Sequence, residues 1–310
     1  MTDRIPFRVK PMLASLVKEP FDAPGWVYEE KYDGYRILAY KEGREVTLLS
    51  RNGNDRTATF APIASAVAKL PARTLLLDGE VVIFDSKWVS RFQLLQNSGA
   101  EPSYGVFDCL YLDGRDLRRE PLSARRAALE KLLGKTSGTR DRIFTSVFLA
   151  ANGLKAFEVA KKKGYEGLVA KDSSAPYLAG RSRSWLKVKV HQEDEFLIVG
   201  YTEPEGARKH FGALLLAAYS NGDLRYVGKV GTGFNQKSLA DLYRKFQPLI
   251  RVKAAVIDPP RERGITYLAP RLVAQIAYGE LTHDRKLRQP VFLGLRDDKS
   301  PQDVKLPEVK

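Results

Sequence analysis

The 310 residues contain a single cysteine, Cys109, so no internal disulfide can form and a reducing cytoplasm suits the chain. There is no Cys-x-x-Cys pair and there are just three histidines, His191, His210 and His283, so the spacing of a zinc site is missing as well. Long apolar runs are absent too. The N-terminus, MTDRIPFRVKPMLASLVKEP, is basic without a sustained apolar core, which argues against a secretory leader, and no stretch has the length of a membrane-spanning helix. Internal repeats and low-complexity tracts are also lacking.

What is present is the composition of a folded globular protein, 44% hydrophobic and 28% charged, rather than of a disordered or fibrous one. Its length suits two domains with cores of their own. Lys and Arg number 51 against 37 Asp and Glu, a formal net charge of +14, which points to a polyanionic partner such as nucleic acid once a chemical motif stands beside it.

Hydrophobic patterning divides the chain. Up to Val190, strands alternate with helices: Trp26 to Glu30, Tyr35 to Tyr40 and Val46 to Ser50 read as a meander. An apolar strand pair follows within Thr74 to Phe84, then a strand at Tyr104 to Leu112 and helices at Ala61 to Leu70, Ser123 to Leu133 and Asn152 to Lys163. Leu168 to Lys171 and Trp185 to Val190 return to strand. Beyond the polar stretch His191 to Glu195, a candidate hinge, short strands surround one helix at Gln236 to Phe246, as in a small β-barrel of the OB type. The expected domains are 1–190, of α/β (α+β) class with mixed and antiparallel sheets, and 191–300, an OB-type barrel. Residues 301–310 are expected to form a loose tail.

The densest chemical signal is Glu29-Glu30-Lys31-Tyr32-Asp33-Gly34-Tyr35-Arg36, a lysine at a strand end beside a glycine turn. Alone it could be an ordinary charged hairpin. A lysine attacks phosphorus only when deprotonated, and neighbouring cations or burial favour that form. Leu77-Asp78-Gly79-Glu80 and Glu166-Gly167-Leu168-Val169-Ala170-Lys171 each set a carboxylate at a glycine turn, which suits Mg²⁺ shared with nucleotide phosphates, although surface glutamates at strand ends would look alike. In Trp185-Leu186-Lys187-Val188-Lys189-Val190 the period of two puts both lysines on one face, either a phosphate clamp or a solvated sheet face. His283 and Cys109 suggest no catalytic role.

In order, KYDGYR, LDGE, YGVFD, EGLVAK and WLKVK resemble the nucleotidyltransferase signature of ATP-dependent DNA ligases. The likeness is nearest to the ligase module of bacterial end-joining ligases. It includes PMLA near Pro11, SRNG at Ser50 to Gly53 and FLGLRDDK at Phe292 to Lys299, and covers nearly the whole chain.

The resemblance implies that Lys31 becomes adenylated from ATP and that Glu29 reads the adenine edge, with Phe107 and Val169 sandwiching the base. It also implies Tyr32, Arg36 and Arg51 as nucleotide contacts, Glu80 and Glu166 as carboxylates linked to Mg²⁺ or Mn²⁺, and Lys187 and Lys189 as ligands of the α-phosphate. Arg296 and Lys299 would orient the pyrophosphate. The implied reaction seals 5′-phosphate/3′-hydroxyl nicks through lysyl-AMP and DNA-adenylate, in DNA repair, recombination or non-homologous end joining. The implied partners are nicked double-stranded DNA and the bacterial Ku end-binding protein, with the enzyme a monomer at the nucleoid; charge and position suggest Arg208 and Lys209 as further DNA contacts. RNA ligases and mRNA capping enzymes resemble the same lysine and glycine pattern, and an inactive OB-containing DNA-binding protein is a third reading. The eukaryotic DNA-encircling domain, the zinc finger of NAD-dependent ligases and fused polymerase or nuclease modules have no counterpart in these residues.

Overall fold

The computed structural model describes residues 5–97, 99–134, 141–190, 192–204, 206 and 208–307. The chain divides into two compact units, Met1–Val190 and His191–Lys310.

In the first unit the strands are β1 Met12–Leu16, β2 Trp26–Glu30, β3 Tyr35–Glu42, β4 Glu45–Ser50, β5 Thr74–Val82, β6 Ser103–Leu112, β7 Arg115–Asp116, β8 Ile143–Thr145, β9 Phe148–Ala150, β10 Gly167–Asp172 and β11 Gly180–Lys189. The helices are α1 Ala61–Ala68, α2 Phe92–Asn97, α3 Leu122–Leu133 and α4 Gly153–Lys163. They build two mixed sheets, one ordered β1-β11-β10-β2-β9 and the other β4-β3-β5-β6-β7 with β8 added to β6. Strand β3 is buried on both faces, which is why it reads as a nearly unbroken apolar run. Ile37 and Ala39 pack with Ile63 and Val67 of α1 and Leu129 of α3. On the other face Leu38 and Tyr40 meet Met12 and Trp185 from the first sheet and Tyr177 from the connection between β10 and β11.

Two local expectations are corrected. The meander does not form: β3 and β4 pair, but β2 belongs to the other sheet, because its partners are β10 and β9, more than a hundred residues away. The segment Thr74 to Phe84 holds one strand rather than two, since Asp78-Gly79 is accommodated as a register shift inside β5 and not as a turn. Helix α4 follows its sequence signals, with the Asn152 side chain accepting from the Leu154 and Lys155 amides and Gly164 closing the helix at φ 72°.

The second unit contains β12 Glu193–Thr202, β13 Leu214–Ser220, β14 Asp223–Val230, helix α5 Gln236–Phe246, β15 Ile250–Arg251, β16 Ile265–Ala277, a hairpin of β17 Glu280–Leu281 with β18 Leu287–Arg288, and β19 Val291–Leu295. Its antiparallel sheet runs β14-β13-β12-β16-β15, with β19 also on β16. This is an OB-like arrangement in which no ladder closes the barrel among the described residues; a single bridge, Thr232 to Val291, links the end of β14 to β19. Glu193 to Glu195, expected in the hinge, begin β12, while His191 lies outside the described residues. The tail is docked as far as Pro307: Val304 is 3% exposed and joins the core, and Tyr219 exchanges backbone hydrogen bonds with Val304 and Leu306. Two apolar side chains in a polar segment suffice to seat it; residues 308–310 lie outside the described set.

Candidate active site

Between β2 and β3 the chain crosses from one sheet to the other, and Lys31 sits at the start of that crossing. The Lys31 amide donates to the Gly167 carbonyl (3.1 Å) and the Glu30 amide to the Val147 carbonyl (3.1 Å). Asp33, 6% exposed, donates its amide to Ser90 Oγ and accepts the Phe92 amide on its carboxylate, both at 3.0 Å. A Cβ on Gly34 would stand 2.2 Å from the Val81 carbonyl oxygen, so glycine alone fits where the turn meets β5. Asp33 and Gly34 are thus scaffold, and their effect is to fix the backbone of Lys31.

Strand register assembles the floor of the site. Glu29 of β2 lies opposite Val169 of β10, which lies opposite Lys187 of β11, so these three side chains share a face. Gly167 opposite Lys189 and Lys171 opposite Trp185 extend the same face in both directions. At Gly167 a Cβ would come within 2.1 Å of the Val188 carbonyl oxygen, which explains the glycine that follows Glu166.

Lys31 Nζ forms an ion pair with Glu166, both side chains largely buried. Burial alone would lower the Lys31 ammonium, but Glu166, Asp33 and Glu80 hold it above the ordinary lysine range. This corrects the expectation of a lysine kept neutral by cations: in this state carboxylates surround the amine and it carries its proton. Burial pushes the Glu166 carboxyl up, and Lys31, Lys189 and Lys187 more than offset that, holding it below the ordinary range. Lys31, Glu80, Glu166, Lys187 and Lys189 therefore form one electrostatic cluster.

Glu29, 1% exposed, is held by residues for which no sequence pattern suggests a role. Its Oε2 accepts from Lys171 Nζ (2.7 Å) and Ser146 Oγ (2.8 Å), and Arg126 Nη1 lies 3.2 Å from Oε1. Oε1 itself accepts no hydrogen bond. Burial would raise this carboxyl, but Lys171 and Arg126 hold it below its ordinary value of 4.5. A depressed carboxyl contributes stability that is present above its unfolded value and lost as pH falls through the folded one. The unfolding free energy in urea is therefore expected to fall as pH drops below about 4.5 and to fall less steeply in Glu29→Gln; identical pH slopes in the two proteins would contradict the pairing.

On the second sheet Arg36 pairs across β5 with Glu80 and clasps Asp78, with Nη2 2.6 Å from Oδ2. Asp78 also accepts from the Tyr177 hydroxyl (2.6 Å). Phe107 is the extra residue where the β5–β6 register shifts, a bulge that turns its ring to within 4.5 Å of the Arg36 guanidinium carbon and 4.4 Å of Lys171 Nζ. The Arg51 amide donates to the Arg36 carbonyl (3.2 Å), so Arg51 follows the same edge. Tyr32, expected among the nucleotide contacts, is instead core: its ring packs with Val82, Phe84 and Phe144, and its hydroxyl accepts the Val147 amide.

Arg296 and Lys299 belong to the second unit, where they are held by its own side chains rather than presented as free ligands. Arg296, 8% exposed, is bidentate to Asp298 (2.8 and 2.9 Å) and donates to Gln275 Oε1, and Lys299 pairs with Glu195 (3.0 Å). Of the two basic residues suggested as DNA contacts, Lys209 is exposed. Arg208 is half-buried, with its guanidinium 5.2 Å from the Phe234 ring centre and bonded to the Gly231 carbonyl, so packing occupies it. Lys171 and Asp78 stand inside motifs read for other residues, whereas Arg126 and Ser146 carry no sequence signal at all.

Comparison with known proteins identifies a family. A family model described as ATP dependent DNA ligase domain matches residues 11–189, and one described as ATP dependent DNA ligase C terminal region matches residues 207–299. The multifunctional non-homologous end joining protein LigD of Pseudomonas aeruginosa is 40% identical over 97% of this chain and 37% of its own length. DNA ligase C1 of Mycolicibacterium smegmatis is 31% identical over 94% of this chain and 91% of its own. Among solved structures, mycobacterial DNA ligase D complexed with ATP and MES aligns at a TM-score of 0.74 and 36% identity, covering 98% of this chain and 100% of that one. The chain thus spans little more than a third of the multifunctional end-joining relatives.

Proposed function

Since the chain belongs to the ATP-dependent DNA ligases, we propose that it seals nicks in double-stranded DNA, with Lys31 carrying AMP between ATP and the DNA end. The observation that carries this reading is the single cluster of Lys31, Glu166, Glu80, Lys187 and Lys189 beside a buried carboxylate, Glu29, with one oxygen free of hydrogen bonds. The neutral Lys31 amine attacks the α-phosphorus of ATP, a P–N bond forms, the bond to pyrophosphate breaks and the amine proton leaves. The 5′-phosphate of the nick then takes AMP from Lys31, and the adjacent 3′-hydroxyl displaces AMP to close the strand. Each step is an in-line displacement that gains from positioning and charge neutralisation.

Glu29 Oε1 suits the exocyclic amine of adenine, with Phe107 and Val169 against the ring. In this reading Arg36 and Arg51 contact the ribose and phosphates, and Lys187 and Lys189 the α-phosphate. Glu80 and Glu166 are hard oxygen donors that would hold Mg²⁺ or Mn²⁺, completed by phosphate oxygens, because no group of three or more candidate ligands occurs among the described residues. Bound there, the cation would offset the negative charge that now retains the Lys31 proton.

DNA is held first through its phosphates, in keeping with the net charge of +14, so binding should weaken steeply with salt. The names of the relatives support an end-joining role, and the proposal extends to bacterial Ku as partner and to a monomer acting at the nucleoid. No helix among the described residues is long and apolar enough to cross a membrane. The test is sealing of a nicked duplex with ATP or GTP: the reading expects sealing with ATP and none with GTP, and failure to seal with ATP and a divalent cation would overturn it.

A further inference from the structure

Ser146 sits between β8, which belongs to the second sheet, and β9, which belongs to the first, so it lies where the chain passes from one sheet to the other. Its backbone is tied on both sides of that passage: the Ser146 amide donates to the Val106 carbonyl (2.7 Å), and the next residue, Val147, accepts the Glu30 amide (3.1 Å). The side chain is 4% exposed and lies between two charged groups. Arg126 Nη1 donates to Ser146 Oγ (2.6 Å), Arg126 Nη2 donates to the Ser146 carbonyl (3.2 Å), and Ser146 Oγ donates to Glu29 Oε2 (2.8 Å).

The direction of this relay is fixed. A guanidinium can only donate and a hydroxyl has one hydrogen, so Ser146 accepts from Arg126 and gives its hydrogen to Glu29. With Lys171 Nζ as a second donor, Glu29 Oε2 is taken up inside the protein, which sets the rotation of the carboxylate and leaves Oε1 without a hydrogen bond. Arg126 Nη1 is 3.2 Å from that oxygen, yet its hydrogen bond goes to Ser146. The Ser146 hydroxyl thus has two effects: it orients Glu29, and it draws off the arginine donor that stands nearest to Oε1. The Phe148 ring, opposite Glu29 on β9, lies 4.4 Å from the Arg126 guanidinium carbon and covers it.

We infer that Ser146, gripped by Arg126, is a positioning residue that sets the base selectivity of the site, keeping one oxygen of Glu29 open as an acceptor for an exocyclic amine. This rests on the reading of Glu29 as the residue that meets the base. Adenine offers an amine hydrogen at its 6-position, which an ionised carboxylate accepts, whereas guanine offers a carbonyl oxygen there and meets it lone pair to lone pair. Without the Ser146 hydroxyl, Arg126 Nη1 is left to turn to Oε1 and Glu29 is free to rotate, and the reward for the amine is lost.

The test is single-turnover formation of the lysyl adduct from ATP and from purine riboside triphosphate, which lacks only the amine, by wild type, Ser146→Ala, Glu29→Gln and the double variant. Wild type is expected to favour ATP by about 30-fold in the ratio of rate constant to half-saturating concentration, the range of one hydrogen bond to a charged group. In Ser146→Ala the preference should fall to within about threefold, through weaker ATP binding, with the rate at saturating ATP changed by less than about threefold. The double variant should lose no more selectivity than Glu29→Gln, because Ser146 acts through Glu29. Should Ser146→Ala not fold, Ser146→Cys decides, since a thiol is a weak donor of nearly the same shape. An unchanged preference in the serine variant, or equal slowing with both nucleotides, would make Ser146 mere scaffold and overturn the inference. A wild type that takes both nucleotides alike would overturn it through Glu29, with Lys31 unaffected; absence of adduct from ATP in wild type would instead remove the proposed function.

Discussion

Lys31→Ala is expected to take up no AMP from ATP and to seal nicked DNA at least about 10³-fold more slowly than wild type. Nothing else on the floor of the site can replace it: Lys187 and Lys189 lie two strands away on β11, and Lys171 is 2% exposed and committed to Glu29. On a nick already carrying DNA-adenylate, the same variant is expected to retain sealing within about tenfold, because the 3′-hydroxyl is then the nucleophile. Label retained by Lys31→Ala, measured on a denaturing gel, would assign the nucleophile elsewhere.

The largest expected effect on stability lies beside the site. Arg125 and Asp108 are each 0% exposed and joined by two hydrogen bonds (2.7 and 2.8 Å), and Arg125 also donates to the carbonyls of Glu120 and Ala175. Arg125→Met strands a buried carboxylate, and removing one partner of such a pair costs roughly 3–5 kcal/mol. For a unit of this size that amounts to a fall in Tm of about 10 °C, followed by circular dichroism. Adding Asp108→Leu should recover part of the loss, because an apolar pair leaves no buried charge. A single variant within about 1 kcal/mol of wild type would contradict the burial of this pair. Asp108 adjoins Phe107, so the same change should also loosen nucleotide binding.

These two residues mark the boundary of what the sequence made legible. Lys31 stood out through the order of five short motifs that resembles a known signature, not through its own segment, and Asp33 and Gly34 fix its backbone. Lys187 and Lys189 were placed on one face by strand period alone, and Asn152 and Gly164 bounded α4 through their capping preferences. Arg125, Arg126, Lys171 and Asp78 were opaque, since a buried, paired charge and a solvated one are written with the same letter; the distinction depends on which strands meet. That β2 pairs with β10 rather than β3 is likewise a long-range fact that no local pattern carries, and so is the packing of Tyr32 against Val82 and Phe144. The tail from Pro301 to Pro307 misled in the opposite sense, because Val304 is too isolated to announce a contact with the core.

The account turns on AMP residing at Lys31. Protein first cleared of bound AMP with pyrophosphate, then incubated with labelled ATP and a divalent cation, would be digested and the adduct located by mass spectrometry. The expected result is one AMP on Lys31, formed from ATP and not GTP and discharged by nicked DNA. No adduct, or an adduct on a residue other than Lys31, would contradict it.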